Sequence, residues 1–165
     1  MKGRSVTHSN LGSQVHLVPV QQKDIPTLLP FVQQFYHHFK YPYHEAQKSD
    51  VLSHLIEDES LGRLMLIKHD DSPIGYVLLV FSFSLEFNGS IAFIDELFIE
   101  PSGRQKGVGS KVLAQVESLC ATLGMKAVRL ESEAHNERAT VLYARSGYHD
   151  HKRHLMTKLL KAHET

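Results

Sequence analysis

The stretch Arg104-Gln105-Lys106-Gly107-Val108-Gly109-Ser110 joins an apolar, strand-like segment to an amphipathic, helix-like one. The first amides of a helix have no acceptors within the helix, and the helix dipole favours negative charge at that end. Gly107 and Gly109 have no side chains, so a phosphate group can approach their backbone closely. With the positive charges of Arg104 and Lys106, the stretch predicts a diphosphate site. The alternative is that both glycines only allow the helix to pack tightly against a sheet.

Two common nucleotide-binding motifs do not fit this stretch. The Walker motif requires Gly-x-x-x-x-Gly-Lys-Ser/Thr, and counting from Gly103 places Val108 at the second glycine. The dinucleotide fingerprint Gly-x-Gly-x-x-Gly matches at Gly107 and Gly109 but has Val112 at its third glycine. The spacing therefore excludes both motifs and leaves a diphosphate site of another kind.

Hydrophobic periodicity predicts alternating strands and helices on both sides of the stretch. Strands are expected at 15–18, 63–68, 74–83, 91–99 and 127–131, and helices at 25–39, 45–58, 106–123 and 136–146. Asn88-Gly89 favours a hairpin, so the strands between 63 and 99 are expected to form an antiparallel meander. The strand, helix, strand order from 91 to 131 implies a parallel crossover. Residues 148–151 and 155–160 are expected to form a closing hairpin.

These elements predict an α/β fold with a mixed (α+β) sheet and the order β-α-α-β-β-β-α-β-α-β-β. The length of 165 residues fits a single domain, which we expect to span residues 15–165. Residues 1–14 carry few apolar side chains, and we expect them to form a flexible N-terminal tail.

Composition argues against several classes of partner. Eighteen basic residues balance eighteen acidic ones, and without a basic stripe we expect no nucleic acid partner. The longest apolar stretch, 76–81, is too short to span a bilayer, so we expect no membrane partner. Cys120 is the single cysteine, which precludes an intrachain disulfide and suits a reducing compartment. We therefore expect a cytoplasmic protein.

The twelve histidines raise the question of a metal site. Their spacing does not match a His-Glu-x-x-His helix, and Cys120 has no partner cysteine. The pairs His37-His38 and His149-x-His151 lie among aromatic or polar residues, as solvated histidines do. We expect no bound metal.

Two motifs together resemble those of the GNAT family of N-acetyltransferases. Arg104, Gly107 and Gly109, preceded by an apolar strand ending in Ile99-Glu100-Pro101, are similar to the family's motif A. The later segment Asn136-x-x-Ala139-x-x-Leu142-Tyr143-x-x-Ser146-Gly147-Tyr148 is similar to its motif B. The order of elements matches the family over about residues 15 to 160. The resemblance implies a GNAT-like fold and transfer of an acetyl group from acetyl-CoA to a primary amine of a small molecule or peptide, by direct attack in a ternary complex.

The resemblance also implies how the co-substrate acetyl-CoA is held. The pantetheine arm would run between two splayed strands and pair with the backbone of Leu97, Phe98 and Ile99. One amide there would polarise the acetyl carbonyl. The diphosphate would bind to the loop formed by Arg104, Gln105, Lys106, Gly107, Val108, Gly109 and Ser110. Asn136 would hydrogen-bond the arm, although its role as a helix N-cap is an equally good interpretation.

Four residues are candidates for the chemistry. Tyr143 matches the family tyrosine that protonates the leaving thiolate, and a phenol with a pKa of about 10 can donate at neutral pH; core packing is the alternative role. An amine arrives protonated and needs a base, for which the candidates are Glu96, Asp95 and Glu131. Regular strand alternation would point Asp95 and Glu96 to opposite faces, so only one of the two would line the cleft. Each carboxylate has a solvated or salt-bridged alternative.

The sequence does not identify the acceptor amine or the oligomeric state. The segment from Tyr36 to Tyr43 is rich in aromatic residues that suit a cation, but a core-packing cluster is an equal alternative. A non-catalytic coenzyme A-binding sensor of the same fold is the alternative function. A protein interaction module is a weaker one, because it leaves the phosphate loop without a role. Homodimerisation through residues 155–160 is suggested by analogy with the family alone.

Overall fold

The computed structural model describes residues 14–104, 107–133 and 135–160. It contains five strands: β1 (Val15–Pro19), β2 (Gly62–His69), β3 (Ser72–Ser84), β4 (Gly89–Ile99) and β5 (Val128–Leu130). The helices are α1 (Ile25–Phe39), α2 (Glu45–Glu57), α3 (Val108–Thr122) and α4 (Glu137–Arg145), with short 3-10 turns at Gln22–Asp24 and Pro101–Gly103. Every strand and helix expected before residue 147 is confirmed, with end points that differ by about two residues at most, as element boundaries usually do.

The five strands form one sheet in the order β1-β2-β3-β4-β5. The first four strands are antiparallel neighbours, which confirms the meander. β4 and β5 are parallel and are joined through α3, which confirms the crossover. The parallel pairing is short: it begins at Ala92 opposite Val128 and ends at Ile94 opposite Leu130.

Both faces of the sheet are buried by helices. A hydrophobic cluster joins α1 and α2 to one face through alternate strand residues that include Leu64, Leu66 and Tyr76. Strand neighbours that point the opposite way, such as Ile67 and Val77, are fully buried without belonging to this cluster. The inner residues of α3 are equally buried, and the Gln115 side chain bonds to the β1 backbone at Val15 and Leu17. We therefore assign α3 to the face of the sheet opposite the one that α1 and α2 cover.

The chain divides into two compact units, Met1–Glu131 and Ser132–Thr165. The first unit contains the sheet with α1, α2 and α3, and the second contains α4.

Cys120 is 1% exposed in α3, and burial raises the pKa of its thiol to about 11, as expected for a packing residue. The expected tail lies outside the described residues except for Gln14, whose amide donates to the Asp70 carboxylate and whose carbonyl accepts from the Asp70 amide. The single-domain boundary stays a prediction.

The expected closing hairpin is not present: described residues 148–160 contain no strand. The apolar side chains of this segment are at least 70% exposed at Leu155, Met156, Leu159 and Leu160. They occur as adjacent pairs, so a strand here would carry apolar side chains on both faces, and packing against a sheet would cover only one of them. Upstream, Lys152 adopts a left-handed backbone and bonds to Asp150, which bends the chain locally.

Within the described ranges, no helix is long and apolar enough to cross a membrane.

Candidate active site

A β-bulge in β4 controls the direction of the candidate base residues. Leu78 pairs with Glu96, while the next residue of β3, Leu79, pairs with Ile94. Asp95 is therefore an extra residue without a cross-strand partner. Because paired residues share a face and neighbours alternate, Glu96 lies on the face of Leu78 and Ile94 on the face of Leu79. Regular alternation is therefore interrupted at Asp95, and which of Asp95 and Glu96 lines the cleft stays a prediction.

The bulge places the Glu96 carboxylate on the face covered by α1 and α2, where two tyrosines donate to it. The Tyr36 hydroxyl of α1 donates to Oε1 at 2.9 Å. The Tyr76 hydroxyl of β3 donates to Oε2 at 2.6 Å. Each carboxylate oxygen thus accepts one short hydrogen bond, which holds the carboxylate in a fixed orientation.

The surroundings of Glu96 make it a better base than a solvated carboxylate. Burial, with a smaller contribution from the charge of Asp95, raises the pKa of the Glu96 carboxyl. The hydrogen bonds from Tyr76 and Tyr36 and the charge of Lys48 oppose that rise without cancelling it. Partial burial also raises the pKa of Asp95, although much of that residue stays exposed. Glu96 is the more enclosed of the two candidates.

A lysine completes the group around Glu96. The Lys48 ammonium of α2 donates to the Tyr36 hydroxyl oxygen at 2.8 Å and lies 4.0 Å from the centre of the Tyr36 ring. Sequence reasoning missed both Lys48 and Tyr76. Lys48 has the pattern of a solvated helix residue, and Tyr76 that of an apolar strand residue. Their convergence depends on the strand register and carries no signal in the sequence.

Leu97, Phe98 and Ile99 form the last part of β4, where the strand pairs with a neighbouring strand along one edge. β3 pairs with these residues, at Val77, Tyr76 and Gly75 respectively. On the opposite edge no described β5 residue pairs with β4 beyond Ile94. This edge of β4 can therefore pair with an extended ligand segment, as the resemblance implies. The Arg104 guanidinium already donates its Nε to the Ile99 carbonyl at 2.7 Å.

The loop after β4 presents the open end of α3. The first helical bond at this end runs from the Lys111 amide to the Gly107 carbonyl at 3.1 Å. The amides of Val108, Gly109 and Ser110 precede that bond and have no partner within the helix. Gly107 has φ of 89°, a conformation that favours glycine. Gln105 and Lys106, two further candidates, lie outside the described residues.

A surface cavity of about 440 Å³ lies next to Arg104. Its walls come from the polar side of α1, from the end of β4 and from the following turn: Gln33, Gln34, His37, His38, Phe98, Pro101 and Arg104. The Arg104 guanidinium also lies 5.9 Å from the centre of the Phe98 ring. Arg104 therefore connects the end of β4 to a pocket large enough for part of a ligand.

The remaining candidates lie at or after the end of the first unit. Glu131 is exposed directly after β5. Asn136 caps α4, and its side-chain oxygen accepts from the Ala139 amide at 3.2 Å. Tyr143 is partly buried in α4, and its ring packs against Tyr148 at 6.0 Å. Burial raises the pKa of the Tyr143 phenol, which keeps it protonated at neutral pH. The N-cap interpretation of Asn136 is thus observed, and the other roles stay predictions.

Among the described residues, no group of three or more His, Cys, Asp or Glu side chains is arranged to hold a metal ion.

Comparison with known proteins assigns the family. The model of the acetyltransferase (GNAT) family matches residues 29–148. An uncharacterized N-acetyltransferase, YhfO of Bacillus subtilis strain 168, is 29% identical over 87 residues, which are 53% of this chain and 58% of that protein. The chain thus matches little more than half the length of this curated relative.

Solved structures share the fold. An integron cassette protein from the mobile metagenome of Cole Harbour Salt Marsh superposes with a TM-score of 0.77 and 27% identity, covering 88% of this chain and 90% of that one. The aminoglycoside N-acetyltransferase AAC(6')-Iy in complex with CoA superposes with a TM-score of 0.75 at 13% identity, covering 90% and 96%. The sheet, the loop before α3 and these matches agree: the chain belongs to the GNAT acetyltransferase family.

Proposed function

We propose that this protein transfers the acetyl group of acetyl-CoA to a primary amine of a small molecule or peptide. The observation that carries the proposal is the path of β4. This strand presents a half-buried carboxylate at Glu96, continues at 97–99 with an edge that no described β5 residue pairs with, and leads to the open helix end at 108–110. These are the parts that amine acetylation requires, in the order in which a thioester donor would meet them.

The donor site combines two backbone features. The uncovered edge of Leu97–Ile99 offers peptide groups to an extended amide-containing arm, and an amide there can stabilise a developing negative oxygen. The amides of Val108, Gly109 and Ser110, with the helix dipole, suit a diphosphate. A CoA complex is known for a protein of the same fold, and the thioester of acetyl-CoA supplies an activated acyl group. The family resemblance also assigns Asn136 to this site.

Two side chains of the chain itself would move protons. Glu96 accepts the proton that the acceptor ammonium must lose, because its raised pKa brings its basicity closer to that of an amine. Tyr143 donates a proton to the leaving thiolate, for which its phenol must be protonated, as burial ensures. Asp95 and Glu131 are the alternative bases, and their greater exposure makes them the weaker proposals.

The proposal is tested by following thiol release from acetyl-CoA across a panel of polyamines, amino acids, aminoglycosides and peptides. Amine-dependent release, with the acetylated amine detected by mass spectrometry, supports transfer. Stabilisation by acetyl-CoA without release across the panel would favour the sensor alternative. A melting temperature that acetyl-CoA does not change would contradict both functions, since a ligand that binds the folded state raises that temperature.

A further inference from the structure

Each oxygen of the Glu96 carboxylate accepts a hydrogen bond from a tyrosine, so an acceptor amine cannot reach the carboxylate directly from those two directions. One carboxylate oxygen accepts from Tyr76, which is fully buried, and the other accepts from Tyr36, which is partly buried. Of these two phenols, only Tyr36 extends towards solvent. A proton that reaches Glu96 from an acceptor can therefore use the Tyr36 hydroxyl as its path.

The Lys48 ammonium already occupies the position beside the Tyr36 hydroxyl that the ammonium group of an acceptor would take. Its Nζ donates to the Tyr36 oxygen at 2.8 Å, and the Tyr36 hydroxyl donates onward to Glu96 Oε1 at 2.9 Å. The three groups form a continuous donor chain from an ammonium nitrogen to a carboxylate. The same Nζ lies 4.0 Å from the centre of the Tyr36 ring, a position that attracts any alkylammonium ion.

Resting on the proposed function, we propose that Tyr36 is the group that contacts and deprotonates the acceptor, whose ammonium displaces Lys48 Nζ from the Tyr36 oxygen. One N–H bond of the acceptor breaks as an O–H bond forms on Tyr36, and the original Tyr36 O–H bond breaks as one forms on Glu96 Oε1. The neutral amine then attacks the thioester carbonyl carbon: the N–C bond forms, the C–S bond breaks, and the further proton that the attacking nitrogen loses is balanced by the proton that the leaving thiolate gains. After turnover, Glu96 returns its proton to solvent through the same hydroxyl.

The two proton transfers, from the acceptor to Tyr36 and from Tyr36 to Glu96, form the Tyr36 relay. They have to occur together. Burial and the neighbouring charge of Glu96 raise the pKa of the Tyr36 phenol, so a free tyrosinate does not form near neutral pH. The charged and titratable groups that act on the Glu96–Tyr36 pair are Asp95 of β4, Lys48 of α2, Tyr76 of β3 and Tyr41 after α1. The Lys48 ammonium favours the charged form of Glu96 and so opposes part of the rise in the pKa of that carboxyl that burial causes.

The first test is Tyr36→Phe, which keeps the ring and removes the relay. With a strongly basic acceptor near neutral pH, kcat/KM is expected to fall by about 10²–10⁴, the usual contribution of general base catalysis. The loss should shrink towards unity at high pH and with acceptors of low amine pKa, because these acceptors arrive already deprotonated. A loss that is constant across pH and across acceptors would overturn the relay. Thermal stabilisation by acetyl-CoA serves as the control for folding.

The second test is Lys48→Met, which keeps the length of the side chain and removes the ammonium. Measured with the same acceptor at the pH of highest wild-type activity, KM for the acceptor is expected to fall several-fold because the internal competitor is gone. An unchanged or higher KM would contradict displacement of Lys48. If the wild-type protein acetylates no amine at all, the proposed function fails. If it acetylates amines and both variants behave like the wild type, only the Tyr36 relay fails.

Discussion

Glu96 and Ile94 lie on opposite faces of the sheet although they are two residues apart in β4. The extra residue between them, Asp95, reverses the alternation of the strand. If Asp95 were paired and the strand regular, Glu96 would share the face of Ile94, which is 4% exposed, and would lie on the opposite face from its tyrosine partners. The bulge thus brings a carboxylate onto the α1 face beside Tyr36. Bulges are often found next to active sites, where they redirect a side chain.

We expect Glu96→Gln to abolish most acetyl transfer while preserving the fold. Gln has nearly the same shape and can still bond to both tyrosines, but it cannot accept a proton from the amine. Thiol release with a basic acceptor should fall by about 10²–10⁴ in kcat/KM. Asp95→Asn is the matched control, and a larger loss there than at Glu96 would transfer the base role to Asp95.

The same variant should change how stability depends on pH. Because the pKa of Glu96 is raised in the folded protein, the folded state holds that proton more tightly than the unfolded chain. The resulting contribution to stability is complete below the unfolded pKa and is lost as pH rises through the folded pKa. The melting temperature of the wild type relative to Glu96→Gln should therefore decrease as pH rises above the ordinary range of a glutamate. A difference that grows with pH would contradict the raised pKa.

The sequence allowed the elements and the glycine-rich start of α3 to be predicted, because hydrophobic period and helix-start chemistry are local properties; that this start binds a phosphate stays a prediction. The bulge at Asp95 was not predictable in that way, since it exists only in the pairing of β3 with β4. Lys48 was missed for a similar reason: its contact with Tyr36 joins two helices whose packing is a tertiary property. The closing hairpin was wrong: the pairs Leu155-Met156 and Leu159-Leu160 would place apolar side chains on both faces of a strand, of which a sheet could cover only one.

Gly75→Ala should destabilise the strand pair that supports the site. A Cβ atom at Gly75 would lie 2.0 Å from the Phe98 carbonyl oxygen, so the backbone of β3 or β4 would have to move. Such overpacking costs on the order of 1–3 kcal/mol in the free energy of unfolding. Gly89→Ala is the matched control in the same strand pair, because the nearest atoms to its Cβ would belong to the flexible Lys126 side chain and not to backbone. Urea unfolding of both variants measures the difference, and equal losses would contradict the close approach at Gly75.

Tyr143→Phe should lower kcat more than it lowers the affinity for acetyl-CoA. The ring would keep its contact with Tyr148, so packing in α4 changes little. Removing the phenol removes the proposed donor to the leaving thiolate, and we expect kcat to fall by about 10²-fold or more. Steady-state kinetics with acetyl-CoA varied at saturating acceptor give both parameters. Unchanged turnover would exclude Tyr143 as the acid and leave it a packing role.

The two ends of α3 provide a matched test of the phosphate loop. Gly107 before the helix and Gly124 after it both have a left-handed backbone, with φ of 89° and 75°, and among the residues that the structure describes a Cβ at either would meet no atom within 4 Å. Alanine at each position should therefore cost about the same, roughly 1–2 kcal/mol of stability, from backbone strain alone. Only Gly107→Ala places a methyl group and a strained backbone beside the amides of 108–110. Coenzyme A affinity, measured by isothermal titration calorimetry, should fall about tenfold or more in Gly107→Ala and stay near the wild-type value in Gly124→Ala. Equal affinities in the two variants would mean that the loop does not bind the diphosphate and that its glycines serve the packing of α3.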